Sequence, residues 1–243
     1  MAKLTLERLL QSQGYGTRKY CRALIFDGAL QIDGEVVDDP GFIPADPEKR
    51  AYSLDGVAFR YRPQLYLALH KPPNYECSRK PSHHPGVLTL FPDPIRARDV
   101  QPVGRLDHDT TGLLLLSDDG AFIHAQTSPR RHVPKYYHAS TAEDVSQDLI
   151  AHMLAGVQLH DEPAPLKALE CSQLGPRLLQ IVLEQGKYHQ VKRMLAACGN
   201  HCAALTRVQI GGLTLQGLGL QEGQWCYLEA EHLAQLRGQA EGE

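Results

Sequence analysis

Asp107, in the run Gly104-Arg105-Leu106-Asp107-His108-Asp109-Thr110-Thr111-Gly112 and just ahead of Leu113 to Leu116, is the group in this chain best placed to do chemistry. The four leucines have the length and bounding turn residues of a buried strand, so Asp107 sits where a rigid element fixes a loop. A second segment, Gly186 to Met194, supplies Lys187, Lys192 and Arg193, cations able to hold a carboxylate in its ionised form. Together the two segments point to chemistry on a nucleic acid. Asp107 and Asp109 stand two residues apart, which also permits a glycosidase or nucleosidase in which one acid protonates while the other attacks. Asp109 reads more readily as a loop carboxylate that bonds its own backbone. Asp118 and Asp119, before Gly120, read as turn and helix-capping residues.

The elements that must position these groups surround them. Strands are predicted near Tyr66 to Lys71, Gly112 to Ser117, Tyr136 to Thr141, Leu178 to Glu184 and Leu205 to Ile210. Helices are predicted near Gly120 to Gln126, Ala142 to Leu154, Tyr188 to Ala197 and Ala230 to Leu236. This mixture predicts an α+β domain on a mainly antiparallel sheet. Ahead of it come a helix over Leu4 to Gln13, a second helix capped by Thr17 and running to about Phe26, and Ala29 to Val37 alternating around Asp33-Gly34. That order makes a helix, turn, helix, hairpin unit. Arg60 to Gln64, with Pro63, reads as a linker, which divides the chain into domains 1–60 and 61–243.

With 243 residues, 42% of them hydrophobic, the chain can bury a sizeable core. Its formal net charge of -3 argues against a uniformly basic nucleic-acid coat. Basic residues nevertheless cluster at Arg18, Lys19 and Arg22, at Arg96 and Arg98, at Arg130, Arg131 and Lys135, and at Lys187, Lys192 and Arg193. The cysteines are scattered and Met1-Ala2-Lys3 leads into an amphipathic helix, so reduced thiols and a cytoplasmic location are expected. No apolar run approaches the roughly 18 to 20 residues that span a bilayer, and no membrane role is expected. Cys198, His201 and Cys202 lack a second close pair of ligands, so no metal is expected and Cys198 reads as the end of a helix before Gly199. His83-His84, before Pro85, reads as a solvent-facing loop or, at best, an RNA-contacting one.

Residues 3 to about 50 resemble the small RNA-binding domain of the S-four ribosomal-protein type. The likeness is carried by Gly14 to Arg22 and by Leu30 to Val37, with Thr17 where that family often has serine. It implies that Arg18, Lys19 and Arg22 form an RNA-facing basic helix. Further along, Leu67 to Pro72, Gly104 to Leu116, Lys135-Tyr136-Tyr137 and Gly186 to Met194 resemble the successive motifs of the bacterial ribosomal pseudouridine synthases, over nearly the whole chain. The resemblance implies that Asp107 is catalytic, that Tyr137 is the tyrosine of the Lys-x-Tyr motif, and that Lys192 is the cation paired with the aspartate.

Isomerising uridine breaks the bond from ribose carbon 1 to the base nitrogen, turns the uracil, and rejoins it through its carbon 5. An ionised aspartate attacks the sugar or takes a proton from it. A tyrosine face keeps the detached base from escaping. Arg105 inserts toward the duplex or binds phosphate as the nucleotide flips out, with Lys187 and Arg193 as further RNA contacts. The reaction is redox-neutral and implies no cofactor, and the chain lacks a phosphate-cradling glycine motif ending in Lys-Ser or Lys-Thr. Gly186 to Met194 is similar to the subgroup that modifies small-subunit RNA, because relatives acting on large-subunit RNA more often carry Asn-Arg in place of Tyr188-His189 and arginine in place of Lys192. The implied function is isomerisation of one uridine of 16S ribosomal RNA by a monomer, on free RNA or an assembly intermediate. A synthase acting on 23S ribosomal RNA and a non-catalytic RNA-binding protein are the alternatives.

Overall fold

The computed structural model describes residues 3–128 and 131–236; Arg130 of the third basic cluster lies outside them. The chain forms two compact units, one built from the described residues up to Leu65 together with Leu88–Val100, the other from Tyr66–Val87 and the described residues from Gln101 onward. Among the described residues no helix is long and apolar enough to cross a membrane.

The first unit opens with α1 (Leu6–Ser12) and α2 (Arg18–Phe26), followed by β1 (Leu30–Ile32), β2 (Glu35–Val36), β3 (Tyr52–Leu54) and β4 (Val57–Phe59). The Thr17 hydroxyl accepts from the Tyr20 N–H at 3.3 Å, so the expected cap starts α2. Asp33 and Gly34 both take positive φ in the two-residue turn between β1 and β2, as a tight hairpin requires. The four strands form an antiparallel sheet in the order β2-β1-β3-β4. Leu6, Leu9 and Leu10, spaced to share one helix face, pack with Cys21 and Ile25 of α2 against Leu30, Ile32, Tyr52 and Leu54. The short α3 (Asp93–Arg96) belongs to this unit, although sequence reading groups it with the second. Arg98 ties the segment down by donating to the carbonyls of Arg62 (2.8 Å) and Pro63 (3.0 Å), contacts that no local pattern announces.

The second unit continues with β5 (Tyr66–Lys71), β6 (Gln101–Val103), β7 (Thr111–Ser117), α4 (Gly120–Thr127), β8 (Lys135–Thr141), α5 (Gln147–Ala155), β9 (Glu170–Gly175) and β10 (Leu178–Leu183). It ends with α6 (Gln190–Ala197), β11 (Cys202–Ile210), β12 (Leu213–Thr214), α7 (Leu215–Leu218), β13 (Trp225–Tyr227) and α8 (Ala230–Leu236). The sheet runs β13-β5-β7-β11-β8-β10-β9, with β6 on β7 and β12 on β11. Of its described pairings only β7 with β11 is parallel. Expected α+β architecture and observed architecture agree.

Leu113 to Leu116 of β7 have no exposed surface, which is why that strand shows no apolar–polar alternation. Gly112 admits the neighbouring strand: its φ is +104°, and a Cβ there would lie 2.2 Å from the Arg207 carbonyl oxygen of β11. Helix α5 starts at Gln147 rather than Ala142, because Ser146 accepts from the Leu149 N–H at 3.1 Å and so sets the cap. Helix α6 starts at Gln190 rather than Tyr188, because His189 takes a left-handed conformation with φ 46°. Asp119 caps α4 by accepting from Ala121 N–H, and Cys198 closes α6 just before Gly199, as expected.

Candidate active site

Asp107 lies in the loop between β6 and β7, with its side chain one-quarter exposed. The loop is tied from beneath by Lys71, the last residue of β5, which has no exposed surface. Its ammonium donates to the carbonyls of Pro72 (3.0 Å), His108 (3.0 Å) and Thr110 (2.9 Å), the last two within the loop just after Asp107. Burial pushes the Lys71 pKa down from its usual value, while the charges of Asp109 and Asp107 partly oppose that.

Two cationic or basic groups of the α6 segment meet the Asp107 carboxylate. Lys192 Nζ lies 3.3 Å from Oδ2, and His189 Nε2 lies 3.3 Å from Oδ1. Lys192 is closer still to Asp109, at 2.6 and 2.8 Å from its two oxygens. The cation expected to serve Asp107 alone therefore bridges both carboxylates. Asp109, expected to bond its own backbone, does so and also takes the shorter half of this bridge. Burial raises the Asp109 pKa, but the Lys192 hydrogen bonds and charge outweigh it, so the carboxyl sits below its usual value. For Lys192 burial again opposes, and the two aspartates win, raising its pKa.

Tyr137, on β8, is 8% exposed and lines one cleft with Asp107, Arg105, Lys187 and His189. It sits between Ile181 of β10 and Arg207 of β11 in the sheet register. Arg207 is itself buried and donates through Nε to the Leu113 carbonyl at 2.8 Å. Burial, helped by the charge of Arg207, pushes the Lys135 pKa down to about 8. In the expected solvent-facing loop His83 is exposed, while His84 is half-buried with its ring stacked on His108 at 4.5 Å and 10°. Glu76 closes that loop by accepting from the N–H groups of Ser82, His83 and His84.

The remaining basic residues divide. Arg105 is exposed at the cleft. Lys187 pairs with Glu162 at 3.2 Å, and Arg193 pairs with Asp161 and Glu162, so both expected RNA contacts already hold acidic partners. In the first unit Arg18 and Arg22 both clamp the buried Glu7, Arg22 at 2.8 Å, while keeping more than half their side-chain surface exposed. Lys19 is exposed on the same helix.

A loop aspartate held by a lysine thus lines one cleft with a strand tyrosine. Residues 65–197 match the family described as RNA pseudouridylate synthase, and residues 5–45 match the S4 domain. The chain belongs to the RNA pseudouridylate synthase family. It is 35% identical over 233 residues to the ribosomal small subunit pseudouridine synthase A of Escherichia coli K12, covering 96% of this chain and all of the relative. The enzyme of the same description from Yersinia pestis is 38% identical over 208 residues, covering 85% of this chain and 87% of the relative. A crystal structure of a pseudouridylate synthase superposes with a TM-score of 0.68 at 31% identity, covering 96% of this chain and all of the other.

In this synthase, sequence reasoning passed over His189, which meets Asp107, and the buried Lys71 and Arg207, which bond backbone carbonyls beneath the loop and on β7. Lys71 stands in a quoted motif, but a lysine ending a strand carries no sign of its burial. His189 reads as a helix residue until its left-handed backbone turns the ring toward Asp107. Arg207 reads as an ordinary residue of a predicted strand.

Proposed function

We propose that this synthase isomerises one uridine of 16S ribosomal RNA to pseudouridine, with Asp107 as the reacting carboxylate. The observation that carries the reading is that Asp107, which meets Lys192 at 3.3 Å, lines one cleft with Tyr137. Lys192 keeps the local charge favourable for an ionised aspartate, and Tyr137 holds the face of the detached uracil. The bond from ribose carbon 1 to the base nitrogen breaks, and a bond from that carbon to uracil carbon 5 forms. The proton on carbon 5 leaves, and the nitrogen gains one. The choice of 16S over 23S ribosomal RNA is supported by the names of the relatives and by Tyr188-His189 and Lys192 in the α6 segment.

In this reading domain 1–60 captures RNA through Arg18, Lys19 and Arg22, and domain 61–243 performs the reaction. Arg105 accompanies nucleotide flipping, and Lys187 and Arg193 exchange Glu162 and Asp161 for phosphates as RNA arrives. The enzyme acts as a monomer in the cytoplasm, on small-subunit RNA or an assembly intermediate. The test is to incubate 16S and 23S transcripts, and partly assembled small subunits, with the protein, then digest them and separate the nucleosides. One pseudouridine per small-subunit RNA, with total RNA mass unchanged, is expected. Free uracil would instead mean a glycosidase, pseudouridine only in 23S RNA would move the substrate, and RNA binding without product would leave a non-catalytic binder.

A further inference from the structure

Tyr188 is 75% exposed, more than any other large hydrophobic side chain among the described residues, whereas Tyr137 is 8% exposed. The ring is not loose. One face stacks on His189 with centroids 3.8 Å apart and planes 18° apart. His189 in turn reaches the Asp107 carboxylate at 3.3 Å. Two further devices hold the pair: the left-handed backbone of His189, rare for a residue with a side chain, and the Arg193 guanidinium, which donates to the Tyr188 carbonyl at 2.8 Å. The second face of Tyr188 is thus presented to solvent at a fixed position, one imidazole away from the reacting aspartate.

We propose that this outer face of Tyr188 is a stacking platform for one unpaired nucleobase of the RNA, that of a nucleotide flanking the target uridine. The proposal rests on the reading of the protein as an RNA-modifying synthase. An aromatic face recognises any base by its π-surface and prefers a strand already opened, which a flipped-out target creates next to itself. A base laid on Tyr188 completes a stack of three planar groups whose innermost member, His189, touches Asp107. Opening of the strand is thereby coupled to placement of the target ribose at the carboxylate. The pre-formed stack with His189 means that little side-chain freedom remains to be lost on binding.

The test uses 16S ribosomal RNA carrying tritium on uracil carbon 5, and compares wild type with Tyr188→Phe, Tyr188→Leu and Tyr188→Ala. Tyr188→Phe keeps the ring and should match wild type. Tyr188→Leu and Tyr188→Ala should raise the half-saturating RNA concentration by roughly 5- to 150-fold with kcat nearly unchanged, since binding is lost before the chemical step. Urea midpoints should stay at the wild-type value, because the side chain lies mostly in solvent. Half-saturation unchanged in all three variants, or Tyr188→Leu behaving like Tyr188→Phe, would overturn the platform while wild-type tritium release still upheld the synthase. Loss of kcat with half-saturation unchanged would overturn it in favour of a positioning role through His189. Absence of release by wild type would overturn the synthase reading, and the platform with it.

Discussion

Replacing Lys192 with methionine removes the one charge that, among the described residues, meets both carboxylates of the loop between β6 and β7, while keeping much of the side-chain volume. Two unit charges 3.3 Å apart, the Lys192 to Asp107 separation, attract by about 5 kcal/mol at an effective dielectric constant of about 20. That is an upper bound, because both side chains are about one-quarter exposed and 3.3 Å is longer than the roughly 2.7–2.9 Å of a strong charge-assisted hydrogen bond. The lower end of the range for hydrogen bonds to charged groups, about 1.5 kcal/mol, is the appropriate figure, and it corresponds to roughly a tenfold fall in kcat/KM. Without the cation the burial of Asp109 is opposed only by its own backbone hydrogen bond and the charge of His108, so its carboxyl pKa should rise and the acidic limb of the pH–rate profile should move to higher pH. Tritium release from small-subunit RNA, measured for wild type, Lys192→Met and Lys192→Arg from acid to neutral pH, reads both effects. Lys192→Arg should recover part of the rate and most of the profile. A Lys192→Met protein with the wild-type rate and profile would refute the bridge as a contributor to the reaction.

Lys71→Met leaves the Pro72, His108 and Thr110 carbonyls without their donor, and should cost about 2–4 kcal/mol in urea unfolding and at least about tenfold in kcat under folding conditions. An unchanged kcat would mean that the loop holds itself. Gly112→Ala forces a methyl group against the Arg207 carbonyl at positive φ and should lower stability by about 3–5 kcal/mol; an unchanged urea midpoint would contradict the close approach of β7 and β11. Lys135, held down to about 8 from 10.5, binds its proton more weakly in the folded state than in the unfolded one, so its share of the stability rises as pH climbs through that window. The gain should be on the order of 2–3 kcal/mol and should vanish in Lys135→Met, read as the difference in urea unfolding between the ends of the window.

The loop aspartate was legible because a run of four leucines bounded by turn residues marks a buried strand, and Asp107 stands just before it. The hairpin at Asp33-Gly34 and the caps Thr17 and Asp119 were legible for a similar reason: their chemistry is local. Tyr137 was visible only through the motif resemblance, since a tyrosine in a strand more often serves the core. The division of Lys192 between Asp107 and Asp109 was not legible, because it depends on where α6 lands against a loop more than eighty residues earlier in the chain. The same holds for the acidic partners of Lys187 and Arg193, which come from a separate loop at Asp161 and Glu162. Strands β6, β12 and β13 are too short to show a period, and β9 is a largely exposed edge strand with little apolar pattern. The switch at His189 from extended turn to helix was hidden because a left-handed histidine has no signature in sequence.

On the proposed reading the Asp107 carboxylate carries the isomerisation. Small-subunit ribosomal RNA with tritium on uracil carbon 5 is incubated with wild type and with Asp107→Asn, after both are shown to unfold at the same urea concentration and to bind the RNA alike. Release by wild type and none by Asp107→Asn is the predicted result; release by Asp107→Asn at the wild-type rate would contradict it.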